Sequence, residues 1–214
     1  MSVRPIETGY AGHRFRSRLE ARWAVFFDNL DIVWEYEPQG YAVGPEGDRQ
    51  PYLPDFWLPK EKLWVEVKGA EEQLDVELLV RATIPHFGLP NPAGPCWISE
   101  HQARLLILGP VPLIQAVPKT GKPAGYIHPA HVLLSFRKGD VFEGWAAFHS
   151  YGIEMHPEGG LVGNDGPDVI WHTRGSDWGN WLQPASYMNP DHDDRVQAAY
   201  RSARSARFEH GERP

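Results

Sequence analysis

Two short apolar runs, Tyr52 to Leu58 and Leu63 to Lys68, stand either side of Pro59-Lys60-Glu61-Lys62, and no other feature constrains the fold of this chain as tightly. Runs rich in aromatic and β-branched residues, separated by a few turn residues, predict a β-hairpin. If it is symmetric about its four-residue loop, Leu58 faces Leu63, Phe56 faces Val65 and Asp55 faces Glu66. Side chains alternate between faces along a strand, so Phe56, Val65, Pro54 and Val67 make the core face. The other face carries Asp55, Glu66 and, two residues on, Lys68. Trp57 and Trp64 are cross-strand neighbours there, and such residues more often pack than stack on bases. Directly opposed residues bring Cβ atoms to roughly 4.5–5.5 Å, where like charges destabilise a sheet. A purely structural hairpin avoids that arrangement.

Two carboxylates held close on rigid strands attract a hard cation, and magnesium characteristically binds one or two carboxylates together with substrate phosphate. A neighbouring lysine can orient or deprotonate an attacking water and neutralise charge that builds on phosphate. The combination suits phosphodiester hydrolysis. Upstream, Phe15, Leu19, Trp23, Phe26 and Leu30 recur at helical spacing and predict an amphipathic helix over about 13–30. Glu20 falls at the edge of its apolar stripe, where a further acidic group could help hold a second metal or orient metal-bound water. Each residue also has a plainer reading. Asp55 could be a strand-end aspartate, Glu66 and Lys68 a solvated strand face, and Glu20 a partner for Arg16 four residues earlier.

The remaining chain predicts a strand over 32–37 ending at Pro38, a helix over about 71–84 stopped by Pro85, and a buried strand over 104–108. Proline and glycine crowd 85–95 and 109–125, and the second stretch is the expected boundary between a first domain, 1–115, and a C-terminal extension, 116–214. Within the extension, 131–136 and 141–148 flank Arg137-Lys138-Gly139-Asp140 as a second hairpin. Residues 150–190 follow neither period. A last helix is expected over about 191–207, with Asp191, Asp193 and Asp194 suited to its N-terminus.

The set Pro54-Asp55-Phe56, Glu66-Val67-Lys68-Gly69 and a preceding helical Glu20 resembles the PD-(D/E)XK nuclease superfamily, whose fold is called restriction-endonuclease-like. Arg16-Ser17-Arg18-Leu19-Glu20-Ala21-Arg22, Tyr36-Glu37-Pro38 and Tyr52-Leu53-Pro54 are similar to nucleases encoded by bacteriophages and mobile elements. The resemblance covers about the first half of the chain. It implies an α/β fold, a central mixed sheet flanked by helices, with the C-terminal extension outside it. It also implies that Asp55 and Glu66 ligate magnesium, with the Val67 carbonyl and Glu20 as further ligands, that manganese substitutes, and that Lys68 is the catalytic lysine. Glu37 matches a recurrent position without an assigned role. Junction-resolving and transposon end-cleaving nucleases share the arrangement, so branched or structured DNA is an expected substrate class.

The formal net charge of −7 argues against a protein that coats nucleic acid, although local basic groups matter more for a nuclease. Arg14, Arg16, Arg18 and Arg22 form one such group and are the expected DNA contacts. Arg195, Arg201, Arg204 and Arg207 form a second, equally readable as a solvated helix face. The ten histidines, among them His128, His131, His149, His156, His172 and His192, show no zinc-site spacing. A single cysteine, Cys96, excludes an internal disulfide and reads as a small core residue. No signal pattern or membrane-length apolar stretch is present, so a cytoplasmic protein of a bacterial cell, phage-encoded or not, is expected. DNA is the expected partner, with monomer and homodimer both open. The rival reading is a non-cleaving DNA-binding subunit of a defence or recombination complex; another is a protein that acts mainly through its C-terminal half.

Overall fold

The computed structural model describes residues 6–90, 102–113, 126–164, 181–183, 185–189 and 193–208. Its first half contains β1 (Thr8–Tyr10), β2 (His13–Phe15), α1 (Arg18–Asn29), β3 (Glu35–Tyr36), β4 (Tyr41–Val43), β5 (Gln50–Tyr52), β6 (Phe56–Leu58), β7 (Leu63–Val67) and α2 (Val76–Thr83). Then follow β8 (Gln102–Leu108), β9 (Tyr126–Arg137), β10 (Asp140–His149), β11 (Gly152–Asn164), β12 (Ala185–Asn189) and α3 (Asp194–Ser205).

The β6–β7 hairpin has the symmetric register: Phe56 pairs with Val65, Trp57 with Trp64 and Leu58 with Leu63. β3 joins the outer side of β6, and β8 lies parallel to β7 on the inner side. A parallel neighbour needs a crossover connection, and α2 lies on that connection. Beyond β8 the order continues through β9, β10 and β11, all antiparallel, with β12 also on β9. The result is an α/β protein with a mixed central sheet. The boundary expected near residue 115 falls between β8 and β9, which pair within that one sheet. α3 packs with α1 in a shared core.

Strand alternation divides the interior into two layers. Phe56, Leu58, Leu63, Val65, Val67, Leu106, Leu108 and Leu133 meet Trp23, Phe26 and Phe27 of α1 and Tyr200 of α3 on one face. Trp64, Leu105, Ile107, Val132 and Leu134 meet Leu79 and Val80 of α2 on the other. The face expected to carry only the carboxylates and tryptophans is therefore a second core, and all five residues of β7 are buried. The physical reason is the parallel pair, whose crossover covers the sheet side that an isolated hairpin leaves open. Trp57 and Trp64 do pair, with ring centroids 4.4 Å apart, and the buried Trp64 indole donates to the Pro90 carbonyl at 2.8 Å.

Several expected elements shift. The helix of 13–30 starts at Arg18, because 13–15 form β2, which pairs with β1 through a two-residue turn; Ala11 and Gly12 both have positive φ there. Phe15 still reaches the α1 core, from a strand rather than a helix. The strand of 32–37 shortens to Glu35–Tyr36, and the run from Tyr52 divides at Pro54 because Tyr52 belongs to a β4–β5 pair. The helix of 71–84 becomes a 3₁₀ turn, Glu71–Gln73, followed by α2, which Asp75 caps. β9 and β10 extend the second hairpin around Lys138-Gly139, both at positive φ, as two-residue hairpin turns require. Cys96, Asp191, His172 and His192 lie outside the described residues.

β11 lies in the stretch that showed no period, and the bulges in the β10–β11 ladder supply the reason. A bulge inserts an extra residue and breaks the alternation on which a strand reading depends. Gly144 and Gly159 sit where backbones touch: a Cβ on Gly144 would lie 2.1 Å from the His156 carbonyl oxygen. Gly144→Ala is expected to cost about 1–3 kcal/mol, read as a lower Tm in thermal denaturation. An unchanged Tm would mean that the bulge opens without cost.

Candidate active site

Ser17 starts the site by starting α1. Its hydroxyl oxygen accepts the Glu20 N–H at 3.2 Å, and in return it donates to Glu20 Oε1 at 2.6 Å. Ser17 is thus the N-cap of α1, and the third helical residue closes back on its hydroxyl. Glu20 Oε2 accepts the Arg16 N–H at 3.1 Å and the Tyr36 hydroxyl at 2.6 Å. Three donors thus orient a carboxylate that is buried at the first turn of the helix. Arg16 is not its ion-pair partner. The Arg16 Nε instead lies 2.7 Å from Glu37 Oε1, which leaves most of the Arg16 side chain exposed.

Asp55 lies one residue before β6, at the place where the hairpin register puts it opposite Glu66. Its Oδ2 accepts the Val67 N–H at 2.7 Å, and its carbonyl accepts the Glu37 N–H at 2.9 Å. Glu66 Oε2 accepts the buried Tyr52 hydroxyl at 2.7 Å. Lys68 is tied to β8 by its N–H on the Leu108 carbonyl, 3.0 Å away. Its ammonium makes an ion pair with Glu66 Oε1 and stands 3.9 Å from Asp55 Oδ2. The two strand carboxylates therefore converge on one cation, the lysine.

That single ammonium does not balance the site. Burial, and then the Glu66 charge, push the Asp55 carboxyl well above its usual range, against the opposing pull of Lys68 and the Val67 N–H, while the Glu20 charge adds to the rise. Burial lowers the Lys68 pKa, yet Glu66, Asp55 and Glu20 outweigh it and hold the group as an ammonium. The Tyr52 and Tyr36 hydroxyls are pushed up by burial and by Glu66 and Glu20 respectively, so both remain protonated donors. Burial also raises the Glu37 carboxyl, partly offset by Arg16.

Glu20, Asp55, Glu66 and Lys68 thus form one electrostatically coupled group. Val67 takes part through its N–H on Asp55. Tyr36 and Tyr52 are members that spacing rules did not reveal; the only signal was their place in the stretches that resemble nucleases. Among the described residues no three His, Cys, Asp or Glu side chains lie in a ready metal-holding arrangement. The acidic groups are all carboxylates, the donor type that suits a hard cation, and negative charge exceeds positive in this buried space.

The expected DNA-contacting arginines divide. Arg14 pairs with Glu7 and Arg16 with Glu37, both with exposed side chains, whereas Arg18 and Arg22 are half-buried on α1. In the second group Arg195 binds Asp31 and the Asn29 carbonyl, and Arg204 donates to the Val111 carbonyl at 2.8 Å, so both fasten α3 to its surroundings. Among the histidines, His131 is buried against the Tyr200 hydroxyl at 2.9 Å, and His149 and His156 share Glu154. No helix among the described residues is long and apolar enough to cross a membrane. Compared with known proteins, the chain matches no family model, no curated protein and no solved structure.

Proposed function

We propose that this chain is a magnesium-dependent DNA nuclease with a restriction-endonuclease-like core, hydrolysing phosphodiester bonds at the group formed by Asp55, Glu66, Lys68 and Glu20. The observation that carries the reading is the convergence of two buried strand carboxylates on Lys68, with an Asp55 carboxyl pushed upward because the site holds more negative charge than its lysine neutralises. Proteins keep buried like charges where a cation or a reaction needs them. A mixed sheet with helices on both faces, and the hairpin at its centre of chemistry, suits the proposed core.

Asp55 and Glu66 would hold magnesium, which when bound supplies Lewis-acid polarisation of a phosphoryl oxygen. A divalent ion held there would offset the charge of both carboxylates. Lys68 would then be free to orient the attacking water and to meet the charge that develops on phosphate. Glu20, fixed by Ser17 and Tyr36, adds its negative charge to the same group and would help orient metal-bound water. Arg16, anchored through Nε to Glu37, offers its remaining N–H groups to a phosphate oxygen, the planar fork that suits such contacts.

The test is incubation of duplex, flap and four-way-junction DNA with the purified chain in magnesium, in manganese and in EDTA. Cleavage of at least one form in either metal, and none in EDTA, is expected. A protein that binds DNA yet cuts no form with either metal would instead be the non-cleaving subunit.

A further inference from the structure

The site holds its two glutamates by the same device, a tyrosine hydroxyl on one carboxylate oxygen, and at Glu66 this has a directional consequence. We propose that Tyr52 is a positioning residue for Glu66: by donating to Oε2 from within the second core, it leaves Oε1 as the oxygen presented to the cation in the site. This rests on the metal-dependent reading above and adds the residue that sets the ligand's orientation.

Three observations lead to it. Tyr52, the last residue of β5, is buried in the core layer that contains Trp64 and α2, so its ring is fixed by packing and cannot follow a moving carboxylate. Its hydroxyl lies 2.7 Å from Glu66 Oε2, whereas Lys68 occupies Oε1, so the two oxygens have separate partners. The hydroxyl is the donor and the carboxylate oxygen the acceptor, so the hydrogen bond runs in one direction, from Tyr52 to Glu66.

Removing such a donor strands a buried oxygen and frees the carboxylate to rotate, which weakens its hold on a cation. Tyr52 comes from a separate hairpin, so the orientation of Glu66 depends on β4 and β5 as well as on its own strand. Groups that orient a metal ligand typically account for about 10- to 100-fold in metal affinity.

Tyr52→Phe keeps the ring in its place and removes only the donor. Manganese affinity is measured without DNA, by the enhancement of water-proton relaxation, on wild type, Tyr52→Phe, Glu66→Gln and the double variant, with a thermal melt for each. Tyr52→Phe is expected to weaken manganese binding about 10-fold or more, and to change nothing further once Glu66 is Gln, since Tyr52 acts through that carboxylate. Undiminished affinity in Tyr52→Phe, whatever its Tm, would make Tyr52 a packing residue and overturn the proposal. So would an equal loss on both backgrounds, which would mean that the effect does not pass through Glu66. Wild type that binds no manganese would sink the metal reading itself, a result distinct from either.

Discussion

Lys68→Ala is expected to leave a folded protein that still binds manganese but cleaves DNA about 10²- to 10³-fold more slowly, the usual cost of removing one group that stabilises transition-state charge. Lys68 lies at the exit of β7, half-buried, with its backbone fastened to Leu108 independently of its side chain. Truncation therefore spares the sheet. It also removes the cation that competes for Glu66 Oε1, so the magnesium concentration needed for half-maximal activity should stay the same or fall while kcat drops. Single-turnover cleavage across a magnesium series separates the two parameters. A variant with wild-type kcat would remove Lys68 from the chemistry and leave it a structural counter-ion.

Asp55→Asn should abolish both manganese binding and cleavage while making the metal-free protein more stable at neutral pH. The amide oxygen can still accept the Val67 N–H, so the local hydrogen bond survives and only the charge is lost. The sign of the stability change follows from the raised Asp55 pKa. A carboxyl whose folded pKa lies above its unfolded value, about 3.8, favours folding fully below that value. That contribution is lost as pH rises from there through the folded pKa. Wild type without metal should thus lose stability above about pH 4, and Asp55→Asn should lose less over the same range. Urea denaturation at several pH values, with and without manganese, reads both effects. Equal pH slopes in the two proteins would mean that Asp55 carries no strain from its neighbours.

The site was legible because it is local. Asp55, Glu66 and Lys68 are brought together by a register that a four-residue loop and an alternating apolar pattern prescribe, and the observed pairing of Phe56 with Val65 follows that register. Glu20 was legible through helical spacing, but its surroundings were not. The Ser17 cap and its bond to Glu20 follow from Ser-x-x-Glu in the sequence, and reading the stripe back to Phe15 obscured them, since Phe15 has the right spacing and the wrong secondary structure. The partners of Arg16, Arg195 and Arg204 lay further from reach. Each is a carboxylate or carbonyl distant in the chain, chosen by how β2, α1, α3 and the segment around Val111 come together.

By itself, then, the chain determined the hairpin, the convergence of its acidic residues with Lys68, the buried strand at 104–108 and the turn at Lys138-Gly139, all of which depend on short-range periodicity and turn chemistry. Tertiary structure alone decided that β8 lies parallel to β7 and α2 covers the carboxylate face, that β9 to β11 extend the same sheet, and that Tyr36 and Tyr52 grip Glu20 and Glu66. The reason is physical. Alternation and helical repeat fix which side of an element is apolar, whereas the burial that raises the Asp55 carboxyl exists only once distant segments have excluded water from it.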